Sequence, residues 1–436
     1  MNAVHECASL SRADSEKYTR VTLSGMLCAF AMLVLGFALQ ISNGFLNVKA
    51  LIGVTISIIL SAAALACPRV VLLVAFSKPA VIRRTFVVLL VVYLSAGIVG
   101  LRFHHPPIDV TIMENDSVHA LLHGVDPYER NTTHQDLYTP QQAIYGPGLE
   151  VNGRVKVGFP YPPLTLLWIL PGYFLGDVRY SFLIAVVLTA AIVFYIEPGL
   201  NGLVAAMLLL FIPNTPYILS YGWTEPLMVM TLAATVLAAR RAPRLLPLAL
   251  GLFFASKQYS FLAVPLAAML LPRFSWKAYL SLLVRAVAVA ALVTVPFFLW
   301  DPQGFWWSLV GFRLATPLRL DALSFSALLA VHGFHVIPQW GVMLAVIAAV
   351  SFALRKAPKT PAGFAASLGL VSLTFFVLNI AGFCNYYFFC AGALCLGVSG
   401  APYDSGDKLF AIFKISQSAT VAPESIGPVR EPTAIF

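Results

Sequence analysis

The chain alternates long apolar runs with short polar breaks. Apolar runs lie near 21–43, 50–67 and 85–101. After one long polar stretch they resume near 161–176, 180–196, 201–219, 224–239, 245–256, 259–271, 279–300, 336–354, 361–381 and 384–399. A helix needs about 20 apolar residues to cross a ~30 Å hydrocarbon core, and several of these runs reach that length. None shows the period-two alternation of a transmembrane barrel strand. The pattern predicts an all-α polytopic membrane protein, a bundle of about 11–13 helices. Three parts follow: a polar segment at 1–20, a transmembrane domain at 21–399, and a polar tail at 400–436 with scattered Pro, Ser and Gly, expected to be disordered. No internal or inverted repeat of the transporter kind is visible.

Composition agrees. With 59% hydrophobic and 11% charged residues, the chain carries too few charges to cover a water-soluble fold of this size. The net charge of +9 is best read through topology. Most Lys and Arg fall in 1–20, 78–84, 177–180, 240–244, 273–277, 355–359 and the tail. The positive-inside rule puts these segments, and so both termini, in the cytoplasm. No basic patch is interleaved with aromatics, so nucleic acid is not an expected partner. Residues 201–222 strain the scheme, because they must leave and rejoin the outer face. Pro213 and Pro216 make a short or re-entrant pair the expected solution. The N-terminus is polar for too long to be a cleaved signal peptide, so the run at 21–43 reads as a retained anchor in the plasma membrane. The six cysteines include no C-x-x-C pair and read as small buried apolar residues.

The one long polar stretch, 103–160, holds seven of the 19 acids: Asp109, Glu114, Asp116, Asp126, Glu129, Asp136 and Glu150. A helical membrane protein gains no packing from such a loop, so function is its best explanation. Asp109 follows directly on a span. SVHALLHG predicts a short amphipathic helix stopped by Gly124, VDPYERN a turn at Pro127, and FPYPPL an extended entry to the next apolar run.

Asp109 near the loop's start, then Ala120-Leu121-Leu122, Gly124, Asp126-Pro127-Tyr128 and Tyr161-Pro162-Pro163-Leu164, resemble the GT-C superfamily of membrane glycosyltransferases. Within it they are most similar to glycosyltransferase family 87, which includes polyprenol-phosphate-mannose-dependent mannosyltransferases. SYGWTEPLMV (220–229), ASKQYSFLAVPL (255–266) and FCNYYFF (383–389) extend the likeness over residues 20–400. The chain departs from the pattern at Gly222-Trp223-Thr224-Glu225, where many members have G-Q-x-N, and in the VTIME that follows Asp109. The resemblance implies a GT-C-like bundle. It also implies inverting transfer of a sugar, mannose being one candidate, from a polyprenyl-phosphate carrier to a glycan or glycolipid acceptor at the outer face.

Such chemistry needs one carboxylate to take the acceptor's proton and cations to hold the leaving phosphate. Asp109 is the leading base, with Asp116 and Glu114 next. Lys257, in the apolar stretch GLFFASKQYSFLAVP, either binds phosphate or snorkels to the interface. Arg313 and Arg319 touch donor phosphate or lipid headgroups. His332, near His335, reads as an interfacial histidine within reach of phosphate. Glu225 either pairs with Lys257 or Arg313 or binds acceptor hydroxyls. Tyr128, Tyr161, Gln258 and Tyr386, from the motifs above, complete the expected substrate-contacting set. Trp306, Trp307, Phe305 and Phe312 read as an interfacial aromatic belt. A P-loop, a G-x-S-x-G elbow, H-E-x-x-H and a D-x-D in the loop are all missing, so no cofactor or metal is expected. The alternative is a transporter or flippase for a lipid-linked sugar.

Overall fold

The computed structural model describes residues 18–42, 48–66, 71–75, 79–103, 108–129, 133–135, 145, 148–151, 154–196 and 198–399. The polar tail, most of segment 1–20, and Cys7 and Cys67 lie outside the described residues. Strand β1 (Tyr18–Thr22) precedes helices α1 (Leu23–Ser42) and α2 (Val48–Ala66), and β2 (Val71–Ala75) returns to pair with β1 in antiparallel register. The 25-residue helix α3 (Pro79–Phe103) follows.

The polar loop then folds in two parts. Helix α4 (Asp109–Leu122) starts at Asp109 itself, a full two turns earlier than the predicted SVHALLHG segment, and Gly124 (φ 70°) ends it as expected. Short strands β3 (Thr133–Gln135), β4 (Glu150–Val151) and β5 (Arg154–Lys156) form a small antiparallel sheet in the order β3-β5-β4, which the hydrophobic pattern did not announce. The Asp126-Pro127-Tyr128 turn is closed by the Tyr128 N–H donating to Asp126 Oδ1 (3.0 Å).

Next come α5 (Pro163–Phe174), α6 (Arg179–Ile196), α7 (Leu200–Leu210), α8 (Thr215–Ser220), α9 (Glu225–Arg241) and α10 (Leu246–Phe254). Two 3-10 segments, Gln258–Ala263 and Pro265–Leu270, lead to α11 (Trp276–Trp300). Short helices α12 (Pro302–Trp306), α13 (Phe312–Ala315) and α14 (Phe325–Val331) separate α11 from α15 (Gln339–Lys356), α16 (Pro361–Leu378) and α17 (Cys384–Ser399). Among the described residues, seven helices are long and apolar enough to cross a membrane by length and composition: α1, α2, α3, α6, α11, α15 and α16.

Hydrogen bonds between helix ends correct the topology. The Arg179 guanidinium donates to the Leu101 carbonyl near the end of α3 (2.9 Å) and to the Ser220 carbonyl at the end of α8 (3.1 Å). Arg241, at the end of α9, donates to the Ile196 carbonyl at the end of α6 (3.3 Å). Arg179 therefore sits at the same end of the bundle as the polar loop, and not with the cytoplasmic segments to which 177–180 was assigned.

The cause is α5, which does not cross. Its 12 residues span roughly 18 Å at 1.5 Å per residue, short of the core. Gln258 Nε2 donates to the Pro160 carbonyl just before it (2.8 Å), while the Gly172 N–H near its end donates to Ser181 Oγ (2.8 Å), one turn from Arg179. With α5 lying across the bundle end, 201–220 needs only one crossing. Helices α7 and α8 make it as a single path broken at Pro213, and no re-entrant pair is needed.

The core is built from α1, α6, α9, α16 and α17, whose facing positions are fully buried. Cys28, Cys384, Cys390 and Cys395 are buried free thiols inside it, as the bland reading of the cysteines expects. Of the expected aromatic belt, Phe305 and Phe312 are buried, Trp307 is half-buried and Trp306 alone is exposed.

Candidate active site

Three segments meet at the loop end of the bundle: the start of α4, the turn before α9, and the turn after α10. The turn before α9 contains Gly222 at φ 65°, a conformation that favours glycine. A Cβ there would stand 2.5 Å from Thr111 Cγ2 and 3.4 Å from Glu114 Oε2. The missing side chain is what lets α4 settle onto this turn.

Beneath α4 lies a buried ion pair. Lys257 Nζ is 2.7 Å from Glu225 Oε1, with the two side chains 3% and 0% exposed. The ammonium also donates to the Thr224 hydroxyl and stands over the Tyr161 ring, 4.3 Å from its centroid. The Tyr259 hydroxyl donates to the same Glu225 oxygen (3.3 Å). A lysine in this position needs such partners, because an unpaired charge in an apolar interior is very costly. Of the two roles foreseen for Lys257, the snorkelling one is corrected: the side chain turns inward. Of those foreseen for Glu225, pairing with Lys257 is the one observed.

Asp109 is half-buried in the first turn of α4. Its Oδ1 accepts from the Val110 N–H (2.8 Å), and its Oδ2 accepts a short hydrogen bond from the Tyr145 hydroxyl. Burial pushes the Tyr145 phenol well above its ordinary range, and the Asp109 charge pushes it further. Tyr145 therefore stays a proton donor to Asp109.

Arg313, on α13, has an exposed side chain. Desolvation would lower its pKa, but the fields of Tyr386, Tyr161, Tyr145 and Asp109 outweigh that and leave it raised. Arg313 is thus an exposed cation within electrostatic reach of Asp109 and three tyrosines. Arg319 holds Asp321 by two hydrogen bonds (2.7 and 2.6 Å), lies 4.9 Å from the Phe383 ring centroid, and also feels Asp109 and Tyr145. Tyr386 is half-buried and stacks on Phe376 (4.9 Å, 18°). Hydrogen bonds, ring contacts and mutual fields thus group Asp109, Tyr145, Arg313, Arg319, Tyr161 and Tyr386 into one cluster, with Lys257 over the Tyr161 ring and paired with Glu225.

The remaining expected residues fall elsewhere or serve differently. Glu114 is corrected as a base candidate: it is 0% exposed, and neither carboxylate oxygen has a hydrogen-bond partner among the described residues. A group so enclosed cannot receive a proton from a bound acceptor. Desolvation pushes its carboxyl well up, opposed by Lys257 and reinforced by Glu225, Asp177 and Asp109. Asp116 is half-buried two turns beyond Asp109 on the same helix.

Tyr128 is fully buried, and its hydroxyl donates to the Tyr161 carbonyl (2.8 Å), so it fixes the loop instead of meeting a ligand. Gln258 likewise ties the Pro160 carbonyl. His332 is exposed after α14, and its Nδ1 lies 2.9 Å from the Leu328 carbonyl of its own helix. Tyr145 and Tyr259 escaped the sequence reading; no local pattern marks a tyrosine that meets its carboxylate 36 residues away. Among the described residues no group of three or more His, Cys, Asp or Glu is arranged to hold a metal ion.

No protein-family model matches the chain, and no curated protein matches it. Two solved structures are similar. One is the crystal structure of ArnT from Cupriavidus metallidurans bound to undecaprenyl phosphate. It is 19% identical, with 79% of this chain and 67% of that one covered, at a TM-score of 0.50. The other is the apo state of the same protein, 18% identical over the same shares at a TM-score of 0.48. At such identity the first likeness is one of fold. The chain is an all-α polytopic membrane protein whose helical bundle is similar in fold to that structure.

Proposed function

We propose that this chain is a membrane glycosyltransferase. It moves a hexose, mannose being the one the family resemblance implies, from a polyprenyl-phosphate carrier to a glycan or glycolipid acceptor, with Asp109 as general base. The observation that carries this reading is the cluster at the loop end of the bundle, where Tyr145 holds Asp109 and an exposed Arg313 stands in the Asp109 field. A lipid-linked donor needs that arrangement, with its tail among the helices and its phosphate at the surface.

In the reaction, the acceptor oxygen attacks the anomeric carbon as the carbon–oxygen bond to phosphate breaks. The acceptor's proton passes to Asp109, and the electron pair leaves on the polyprenyl phosphate. Arg313 and Arg319 offset the charge gathering on that phosphate. Tyr145 holds the Asp109 carboxylate in one orientation. Lys257, paired with Glu225 and seated over the Tyr161 ring, braces the base of the cluster. Undecaprenyl phosphate, the ligand held by the structure of similar fold, is of the class of carrier that such a donor releases when its sugar is transferred.

The test is binding of undecaprenyl phosphate to the detergent-solubilised full-length protein. Arg313→Gln is expected to weaken binding about tenfold or more, the loss of one charge-assisted contact. Unchanged affinity in both Arg313→Gln and Arg319→Gln would contradict the donor assignment. The rival reading, a transporter or flippase, predicts that labelled lipid-linked sugar changes leaflet without being consumed.

A further inference from the structure

A cavity of about 550 Å³ opens near the Asp109–Tyr145 pair. Its walls are Glu129, Gly148, Leu149, Lys156, Asp301, Gln303 and Trp307. The volume is within the roughly 300–1,000 Å³ common for small-molecule sites, but the walls are far more polar than most. The cavity is built, not incidental. The Trp307 indole N–H donates to the Lys156 carbonyl (2.9 Å), which joins the strand side to the helix side. Asp301 Oδ1 accepts from the Gln303 and Gly304 N–H groups (3.0 Å each) and caps α12, which fixes its carboxylate at the rim. Gly148 has φ 84°, and a Cβ placed on it would meet open space.

The lining selects among ligands. Among the described residues the lining sets two carboxylates, Glu129 and Asp301, against one lysine, Lys156, which disfavours phosphate and other anions. A lipid tail would find no apolar enclosure. The negative field extends beneath the floor. Asp126 is nine-tenths buried, its Oδ2 has no partner among the described residues, and burial with the Asp301 and Glu129 charges pushes its carboxyl up. An indole beside carboxylates and an amide suits a molecule with an apolar ring face and many hydroxyls, which is a sugar.

The cavity also adjoins the reacting centre. Leu149 and Trp307 pack in one small apolar cluster with Met113, Tyr145 and Phe312, and the Tyr145 hydroxyl reaches Asp109. One tyrosine thus links the cavity wall to the base. We propose that this cavity is the acceptor subsite, taking neutral or amine-bearing hexose units of the acceptor glycan and excluding phosphorylated ones. The assignment to the acceptor rests on the glycosyltransferase reading; the preference for sugar rests on the lining alone.

The experiment measures binding of mannotriose, maltotriose, a chitosan trisaccharide and a phosphorylated mannotriose to the full-length solubilised protein by saturation-transfer NMR. Undecaprenyl phosphate binding is measured on the same preparation. At least one unphosphorylated trisaccharide is expected to bind and the phosphorylated one not to. The Glu129→Gln/Gln303→Ala double variant, at two exposed positions where folding is not at risk, is expected to weaken trisaccharide binding about fivefold or more and to leave undecaprenyl phosphate binding unchanged.

The proposal is overturned if no trisaccharide binds, if the phosphorylated one binds best, or if the double variant binds as the wild type does. Trisaccharide failure with donor binding intact removes the subsite alone. Loss of donor binding with trisaccharide binding intact removes the donor reading and keeps the cavity as a sugar site.

Discussion

Lys257 and Glu225 meet at 2.7 Å with almost no exposed surface, 33 and 34 residues from the Thr224 and Tyr259 hydroxyls that complete the cluster. Such a pair is held by its surroundings, so removing one member leaves the other charged and unpaired. Lys257→Met or Glu225→Gln alone is expected to cost about 3–5 kcal/mol, and the double change less than either single one. Thermal unfolding of the three variants in detergent checks this. Equal stability for wild type and Lys257→Met would mean that the pair contributes nothing to the fold.

Tyr145 predicts a kinetic effect. Among the described residues its hydroxyl is one of two donors to the Asp109 carboxylate. Tyr145→Phe keeps the ring packed on Phe312 but frees the carboxylate to rotate, which is expected to lower kcat about tenfold with little change in donor affinity. A wild-type kcat would remove Tyr145 from the positioning role.

Glu114 predicts a pH dependence. Its folded pKa is raised above the ordinary 4.5 by desolvation, so the fold keeps a proton that the unfolded chain has already lost. Stability from this group is complete below 4.5 and falls as pH rises toward the raised folded value. Glu114→Gln, which stays neutral at every pH, is expected to match wild type near pH 4.5 and to melt higher at alkaline pH. Melting curves at acid and alkaline pH distinguish the two. A parallel shift at both would place the effect in packing and not in titration.

Gly222 tests the seat of α4. Alanine there must adopt φ 65° and bring its Cβ to 2.5 Å from Thr111 Cγ2. Gly222→Ala is expected to cost about 1–3 kcal/mol and to loosen α4, carrying Asp109 with it. Hydrogen exchange confined to Asp109–Leu122 would report that loosening; unchanged protection there would contradict it.

The pattern of apolar runs carried most of the bundle, because crossing a hydrocarbon core imposes a length that shows in sequence. It misread 161–176, since a helix lying across the bundle end and one crossing it are equally apolar, and only Arg179 reaching Leu101 and Ser220 tells them apart. In the site, Asp109 and Arg313 were legible as polar residues with no structural excuse on one face. Glu114 looked equivalent to Asp109 because burial of a loop carboxylate depends on Gly222, more than a hundred residues away. Tyr128 and Gln258 were found through their motifs, but sequence does not say whether a polar tip faces a ligand or a backbone carbonyl.

The central claim is that Asp109 takes a proton from the acceptor while a lipid-linked phosphate departs. It is tested most directly by sugar transfer from a radiolabelled polyprenyl-phosphate donor in membranes holding the full-length protein. Wild type is expected to move label to an acceptor, and Asp109→Asn, which keeps the shape and removes the base, to fall by about 100-fold or more while still binding undecaprenyl phosphate. Full transfer by Asp109→Asn, or no consumption of labelled donor by the wild type, would contradict the account.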